Sequence, residues 1–147
     1  GLDAMGFVLG SALAARLGIG FLPIRKAGKL CVETDKVSFS NYSGRTQEME
    51  MRLPAFATGT KVILADQWVE TGGTVDGAIR LVERQGGTVV AVAAVAIEEN
   101  AVTKAYRSKY RCVSAVVPGS RWQTECNAQK LSSFATYRPE LAFPPMT

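Results

Sequence analysis

Hydrophobic residues along this chain fall into two rhythms, one helical and one extended. Leu9, Leu13 and Leu17 recur every fourth position, and Gly18 follows at once. That spacing predicts a helix over 7–17 with a glycine stop. Residues 19–24 form a short apolar run broken by Pro23, the expected end of a strand. Glu48-Met49-Glu50-Met51 alternates strictly, the pattern of a half-exposed strand. Val62 to Ala65 is apolar throughout, as in a parallel strand buried on both faces. Val75, Ala78, Ile79 and Val82 then mark one face of a helix over 75–85. Thr74 is its expected N-cap, and Gly86-Gly87 its end. Residues 88–97, nearly all Val and Ala, predict a second buried strand, 100–109 a short polar helix, and 112–117 a further strand. Residues 118–147 read as an irregular tail carrying Trp122, Phe134, Tyr137 and Phe143.

Strand, helix, strand, helix, strand predicts an α/β domain: a central, mainly parallel sheet flanked by helices. A length of 147 residues fits a single domain over 1–147. Ligands of such sheets bind beyond the carboxyl ends of the strands. Two segments are expected as loops there, Arg25 to Leu30 and Asp66 to Thr74.

Composition narrows the chemistry. The chain has no histidine, which removes Ser-His-Asp and Cys-His catalysis and His-ligated zinc. Its three cysteines are widely spaced, so a reduced chain in the cytoplasm is expected. A net charge of +4 favours an anionic partner: a polyphosphate, a nucleic acid or a membrane surface. No charge-free apolar run is long enough to span a bilayer, so no membrane partner is expected. No basic stripe with interleaved aromatics stands out, so nucleic acid is not the expected partner either. The sequence starts at Gly1 rather than Met and reads as a piece of a longer protein.

The chemistry concentrates in the two loops. A buried strand runs into Asp66-Gln67-Trp68-Val69-Glu70 and then Thr71-Gly72-Gly73-Thr74, which opens a helix. The glycines let backbone N–H groups approach an anion, the helix N-terminus adds positive potential, and two hydroxyls add donors. That is a phosphate cradle, but not a Walker loop or a dinucleotide fingerprint. Arg25, Lys26 and Lys29 place three cations within five residues, suited to a polyanion.

The stretch Asp66 to Thr74 resembles the phosphoribosyl-pyrophosphate (PRPP) motif of type I phosphoribosyltransferases. Gly1-Leu2-Asp3-Ala4-Met5-Gly6-Phe7 and Arg25-Lys26-Ala27-Gly28-Lys29-Leu30 resemble the adenine branch of that family. The likeness runs from Gly1 to about Ile97, and it implies the family's fold without the first strand and the hood over the base. It also implies a reaction, adenine plus PRPP giving AMP and pyrophosphate, with Mg²⁺ bound mainly through PRPP, and a homodimer. Asp66, with Gln67, would hold the ribose hydroxyls. Thr71, Gly72, Gly73 and Thr74 would cradle the 5′-phosphate. Ala4 and Met5 would meet the pyrophosphate that Arg25, Lys26 and Lys29 neutralise. Trp68 and Val69 would face the base, with a core or interface position as the other reading of Trp68.

The departures are specific. Gln67 stands where the family has a second acid, and Met5 where it has Arg. Ser40-Asn41-Tyr42-Ser43 replaces a Leu-Glu-Tyr-Gly segment whose Glu assists proton transfer. Glu70 replaces the adenine branch's Ala and matches the acid that the hypoxanthine-guanine branch keeps beside purine N7. Glu70 is therefore expected to be catalytic beside Asp66, or else merely a helix N-terminal charge. Two other functions stay open: another acceptor base, guanine or xanthine, and a non-catalytic PRPP-sensing regulator that binds nucleic acid.

Overall fold

The computed structural model describes residues 1–40 and 45–127. Among them are α1 (Met5–Leu17), β1 (Arg25–Lys26), β2 (Thr34–Ser40), β3 (Thr46–Arg52), β4 (Lys61–Val69), α2 (Gly73–Arg84), β5 (Thr88–Ile97), α3 (Ala101–Lys109), β6 (Arg111–Ser114) and α4 (Arg121–Asn127). The stretch 41–44 and the tail beyond 127 lie outside the described residues.

The predicted strand–helix–strand–helix–strand unit is β4-α2-β5-α3-β6, with the strands parallel in the order β4-β5-β6. The sequence reading did not foresee a second, antiparallel sheet in the order β1-β3-β2. The Val37 and Phe39 alternation of β2 was its available signal. The segment Gly1 to Asp3 joins the two sheets: Leu2 N–H donates to Ala65 O at 2.9 Å, and Asp3 N–H to Ile24 O at 3.0 Å.

Helix α2 sits between the sheets. Val75, Gly77, Ala78, Ile79, Leu81 and Val82 are buried along it. At Gly77 an added Cβ would lie 2.9 Å from Met49 Cε and 3.0 Å from Phe39 Cβ, so the helix packs directly on β2 and β3. Arg84 fastens the same face by its ion pair with Asp35, 2.6 Å long.

Several expectations are corrected. The buried face of α1 is Gly6, Gly10 and Ala14, not the leucine stripe, and Leu17 is exposed. The reason is close approach: a Cβ on Gly6 would lie 2.5 Å from Ala65 O and 3.2 Å from Asp66 Cα. Of the apolar run 19–24, only Ile24 pairs, in an isolated bridge with Leu2. Strand β4 continues to Val69, so Asp66 to Val69 belong to the strand and the loop is only 70–72. The cap of α2 is Gly72, at φ +89°, whose left-handed turn starts the helix before Thr74. Strand β6 stops at Ser114, and 121–127 is helical rather than irregular. Glu50 is not half-exposed but 1 % exposed, buried with Met49 and Met51.

Candidate active site

A cavity of about 390 Å³ opens where the two sheets meet. Asp66, Gln67 and Trp68 reach it from β4, Thr74 from α2, and Arg25 and Lys26 from β1. Asp3 also lines it. Its carboxylate accepts the Lys26 N–H at 3.3 Å and pairs with Arg25 Nε at 3.7 Å, so the turn before α1 is tied to the basic strand. The Asp3–Ala4 peptide is cis. A smaller cavity of about 190 Å³ follows the loop itself and is lined by Glu70, Thr71, Gly72 and Thr74 beside Asp66.

The basic stretch divides. Arg25 and Lys26 face the cavity, whereas Lys29 does not line it. The Lys29 backbone serves another purpose. The N–H groups of Lys29 and Leu30 both donate to Glu50 Oε1 at 2.7 Å, and Thr34 Oγ1 donates to Glu50 Oε2 at 3.1 Å. Burial pushes the Glu50 carboxyl up, but donors from Gly28, Leu30, Lys29 and Thr34 outweigh it and bring it down to about 2. Ala4 and Met5 open α1 beside Asp3, exposed and outside the cavity lining.

Asp66 is 7 % exposed. Burial pushes its carboxyl up to about 6, against the Gln67 N–H that donates to Oδ1 at 2.8 Å. Its ionised form therefore accumulates across pH 5 to 7. If Asp66 holds the hydroxyls of the PRPP that the sequence resemblance implies, affinity for it rises over that range. Calorimetric titrations at several pH values check this, with Asp66→Asn removing that part of the slope.

Trp68 is half-buried, and its indole Nε1 donates to Glu98 Oε1 at 2.7 Å while the residue lines the cavity. Val69 is 2 % exposed and belongs to the hydrophobic core, and it also lines the smaller loop cavity. Packing also calls for glycine at positions 72 and 73. A Cβ on Gly72 would strike Val102 and Tyr106, and one on Gly73 would strike the Ser40 carbonyl. Arg45 and Gln47 line the cavity too, without any motif to announce them. The expected Asn41-Tyr42-Ser43 segment falls outside the described residues. Among the described residues no group of three or more His, Cys, Asp or Glu could hold a metal ion. No described helix is long and apolar enough to cross a membrane.

A parallel strand carrying Asp66, the hydroxyl-glycine turn that follows it, and Arg25, Lys26 and Arg45 line adjoining cavities, an arrangement whose chemistry suits an anion. Residues 1–129 match the phosphoribosyl transferase domain family, and the chain belongs to it. Within that family it is similar to adenine phosphoribosyltransferases. The enzyme of Chelativorans sp. is 48% identical over 91 residues, which is 62% of this chain and 50% of the relative. The enzyme of Rhizobium meliloti is 47% identical over the same shares. The crystal structure of the Thermoanaerobacter pseudethanolicus enzyme superposes with a TM-score of 0.70 at 34% identity, covering 77% of this chain and 65% of that one. The Saccharomyces cerevisiae enzyme, complexed with an imino-altritol bisphosphate and adenine, gives 0.66 at 33% identity over 77% and 62%. The chain spans about half the length (50%) of the curated relatives it matches.

Proposed function

We propose that this chain carries the PRPP site of a purine phosphoribosyltransferase that converts adenine and PRPP to AMP and pyrophosphate. The observation that carries this reading is the single cavity shared by Asp66, Thr74, Arg25 and Lys26. Its lining offers an acid for ribose hydroxyls beside a phosphate loop, and cations for pyrophosphate. Adenine as acceptor rests on the likeness to adenine phosphoribosyltransferases.

In this reading the base attacks the anomeric carbon as pyrophosphate leaves, through a ribosyl cation-like transition state. Arg25 and Lys26 take up charge growing on the leaving group, and loop N–H groups fix the 5′-phosphate, so catalysis is positioning and electrostatics. Asp3 and Asp66 are the carboxylates lining the cavity, and Mg²⁺ commonly takes one or two carboxylates plus substrate phosphates. These two would hold the ion on PRPP, where it neutralises pyrophosphate charge. The proposal includes a homodimer working in the cytoplasm.

Pyrophosphate release from PRPP, assayed with adenine, guanine, hypoxanthine and xanthine in turn, tests the reading. Release with adenine alone is expected. Glu70 and Trp68 favour a second reading, the same chemistry on another base, which release with guanine or xanthine would support. PRPP binding with no release on any base would replace the enzyme by a PRPP sensor.

Lys26→Ala is expected to weaken PRPP by about tenfold, the effect of one lost charge-assisted contact. AMP, lacking pyrophosphate, is expected to bind as before. Lys29→Ala is expected to change PRPP affinity by less than about threefold, in line with a rim charge. Titrations of the two ligands against the two variants check the division.

A further inference from the structure

The loop 70–72 is held from behind by α3. Tyr106 Oη donates to the Gly72 carbonyl at 2.9 Å, and Asn100 Nδ2 donates to the Glu70 carbonyl at 2.6 Å. The missing side chain of Gly72 faces the same helix: a Cβ there would lie 2.8 Å from Val102 Cγ1 and 2.9 Å from Tyr106 Cε2. The loop backbone thus rests directly on α3 side chains.

This support has a consequence for the opposite side of the loop. In a trans peptide the N–H of one residue points opposite to the C=O of the residue before it. The only cis peptides among the described residues are Asp3–Ala4 and Leu53–Pro54. With the Glu70 carbonyl drawn toward α3, the Thr71 N–H turns away from it, while the Gly72 carbonyl is held jointly by Tyr106 Oη and by the Asp76 N–H of α2, each at 2.9 Å. Thr71 lines the small loop cavity, which no α3 residue borders, and also the larger cavity that Gly73 lines together with Val102 and Tyr106. A flip of the Glu70–Thr71 peptide would present a carbonyl oxygen to an anion instead. The Gly73 N–H has a long contact with Thr71 Oγ1, 3.5 Å.

We propose that Tyr106 and Asn100 are positioning residues that lock the peptide orientation of the phosphate loop, so that α3 sets the affinity for a phosphomonoester. The ligand named here rests on the PRPP reading above; the clamp itself does not.

Both residues are placed to do this. Asn100 divides its side chain: Oδ1 caps α3 by accepting the Val102 and Thr103 N–H groups, leaving Nδ2 for the loop. Burial, then the charge of Asp76, pushes the Tyr106 phenol up to about 12, so it stays a donor across neutral pH. Tyr110, one turn on, is equally buried at 8 %, but its hydroxyl reaches Glu83 at 3.4 Å and not the loop. It is the matched control.

The test uses the full chain and three variants: Tyr106→Phe, Asn100→Ser and Tyr110→Phe. Ser keeps an N-cap oxygen and removes the amide donor, so α3 keeps its start. Calorimetry follows ribose 5-phosphate and, separately, inorganic pyrophosphate; amide exchange follows 70–74 without ligand. Tyr106→Phe and Asn100→Ser are expected to lose about 5- to 20-fold in ribose 5-phosphate affinity, the scale of one backbone-orienting hydrogen bond. Their pyrophosphate affinity stays within about twofold, and Thr71 and Gly73 exchange faster. Tyr110→Phe shows neither change. Parent-like exchange in both loop variants, or an equal loss of affinity in Tyr110→Phe, overturns the proposal. If the parent binds no ribose 5-phosphate, the PRPP reading fails, and exchange alone decides the clamp.

Discussion

Glu70→Gln is expected to lower turnover with purine by about 10²–10⁴-fold while PRPP affinity stays near that of the parent. A purine must lose or share a ring proton as the glycosidic bond forms. The chain has no histidine to take it, and the sequence resemblance implies that Asn41 stands in place of the family's loop carboxylate. Glu70 is exposed at the end of β4, lining the loop cavity together with Asp66 and Thr74. Its backbone is fixed by the Asn100 contact to its carbonyl, 2.6 Å, so the side chain projects from a held point. Gln keeps the shape and removes the base. Steady-state kinetics over several purines, with calorimetry for PRPP, separate the two quantities. Normal turnover with every purine would reduce Glu70 to a charge near a helix N-terminus.

Glu50→Ala is expected to cost about 3 kcal/mol of stability, because it strands two backbone donors and a hydroxyl that the carboxylate now satisfies. The same change frees the turn carrying Lys29, since the Lys29 and Leu30 N–H groups both end on Glu50 Oε1. Linkage gives the pH dependence. The folded carboxyl sits at about 2 against an ordinary 4.5, so its contribution is complete above pH 4.5 and fades as pH falls toward 2. Urea unfolding of parent and Glu50→Gln should differ most near neutrality and converge in acid. A gap independent of pH would assign the loss to packing rather than to the ionised carboxylate.

The sequence analysis and the structure part company at identifiable places. The leucine stripe of α1 looked like its buried face, yet Gly6, Gly10 and Ala14 are buried, because β4 comes too near for larger side chains. Periodicity ranks residues by hydrophobicity and cannot register a contact that demands smallness. Strict alternation put Glu50 outside. The turn 28–30 covers β3 at Glu50 and closes that one position off from water, whereas Glu48 on the same face stays exposed. A buried carboxylate surrounded by donors carries no pattern distinct from an exposed one.

What the sequence alone determined is local. An apolar run into an acid, then Thr-Gly-Gly-Thr into an amphipathic helix, specifies strand, turn and helix within a few residues of each other. Each signal there acts on its neighbours, through burial of one strand or one helix face. The tertiary structure alone decided which cations share the cavity with Asp66, that Asp3 ties the α1 turn to the basic strand, and that α3 backs the phosphate loop. Those outcomes rest on hydrogen bonds between distant residues: Glu50 with Lys29 across 21 positions, Glu70 with Asn100 across 30, and Gly72 with Tyr106 across 34. Buried backbone groups must find partners somewhere, and which partner is near enough depends on how the two sheets and α3 pack, not on any spacing along the chain.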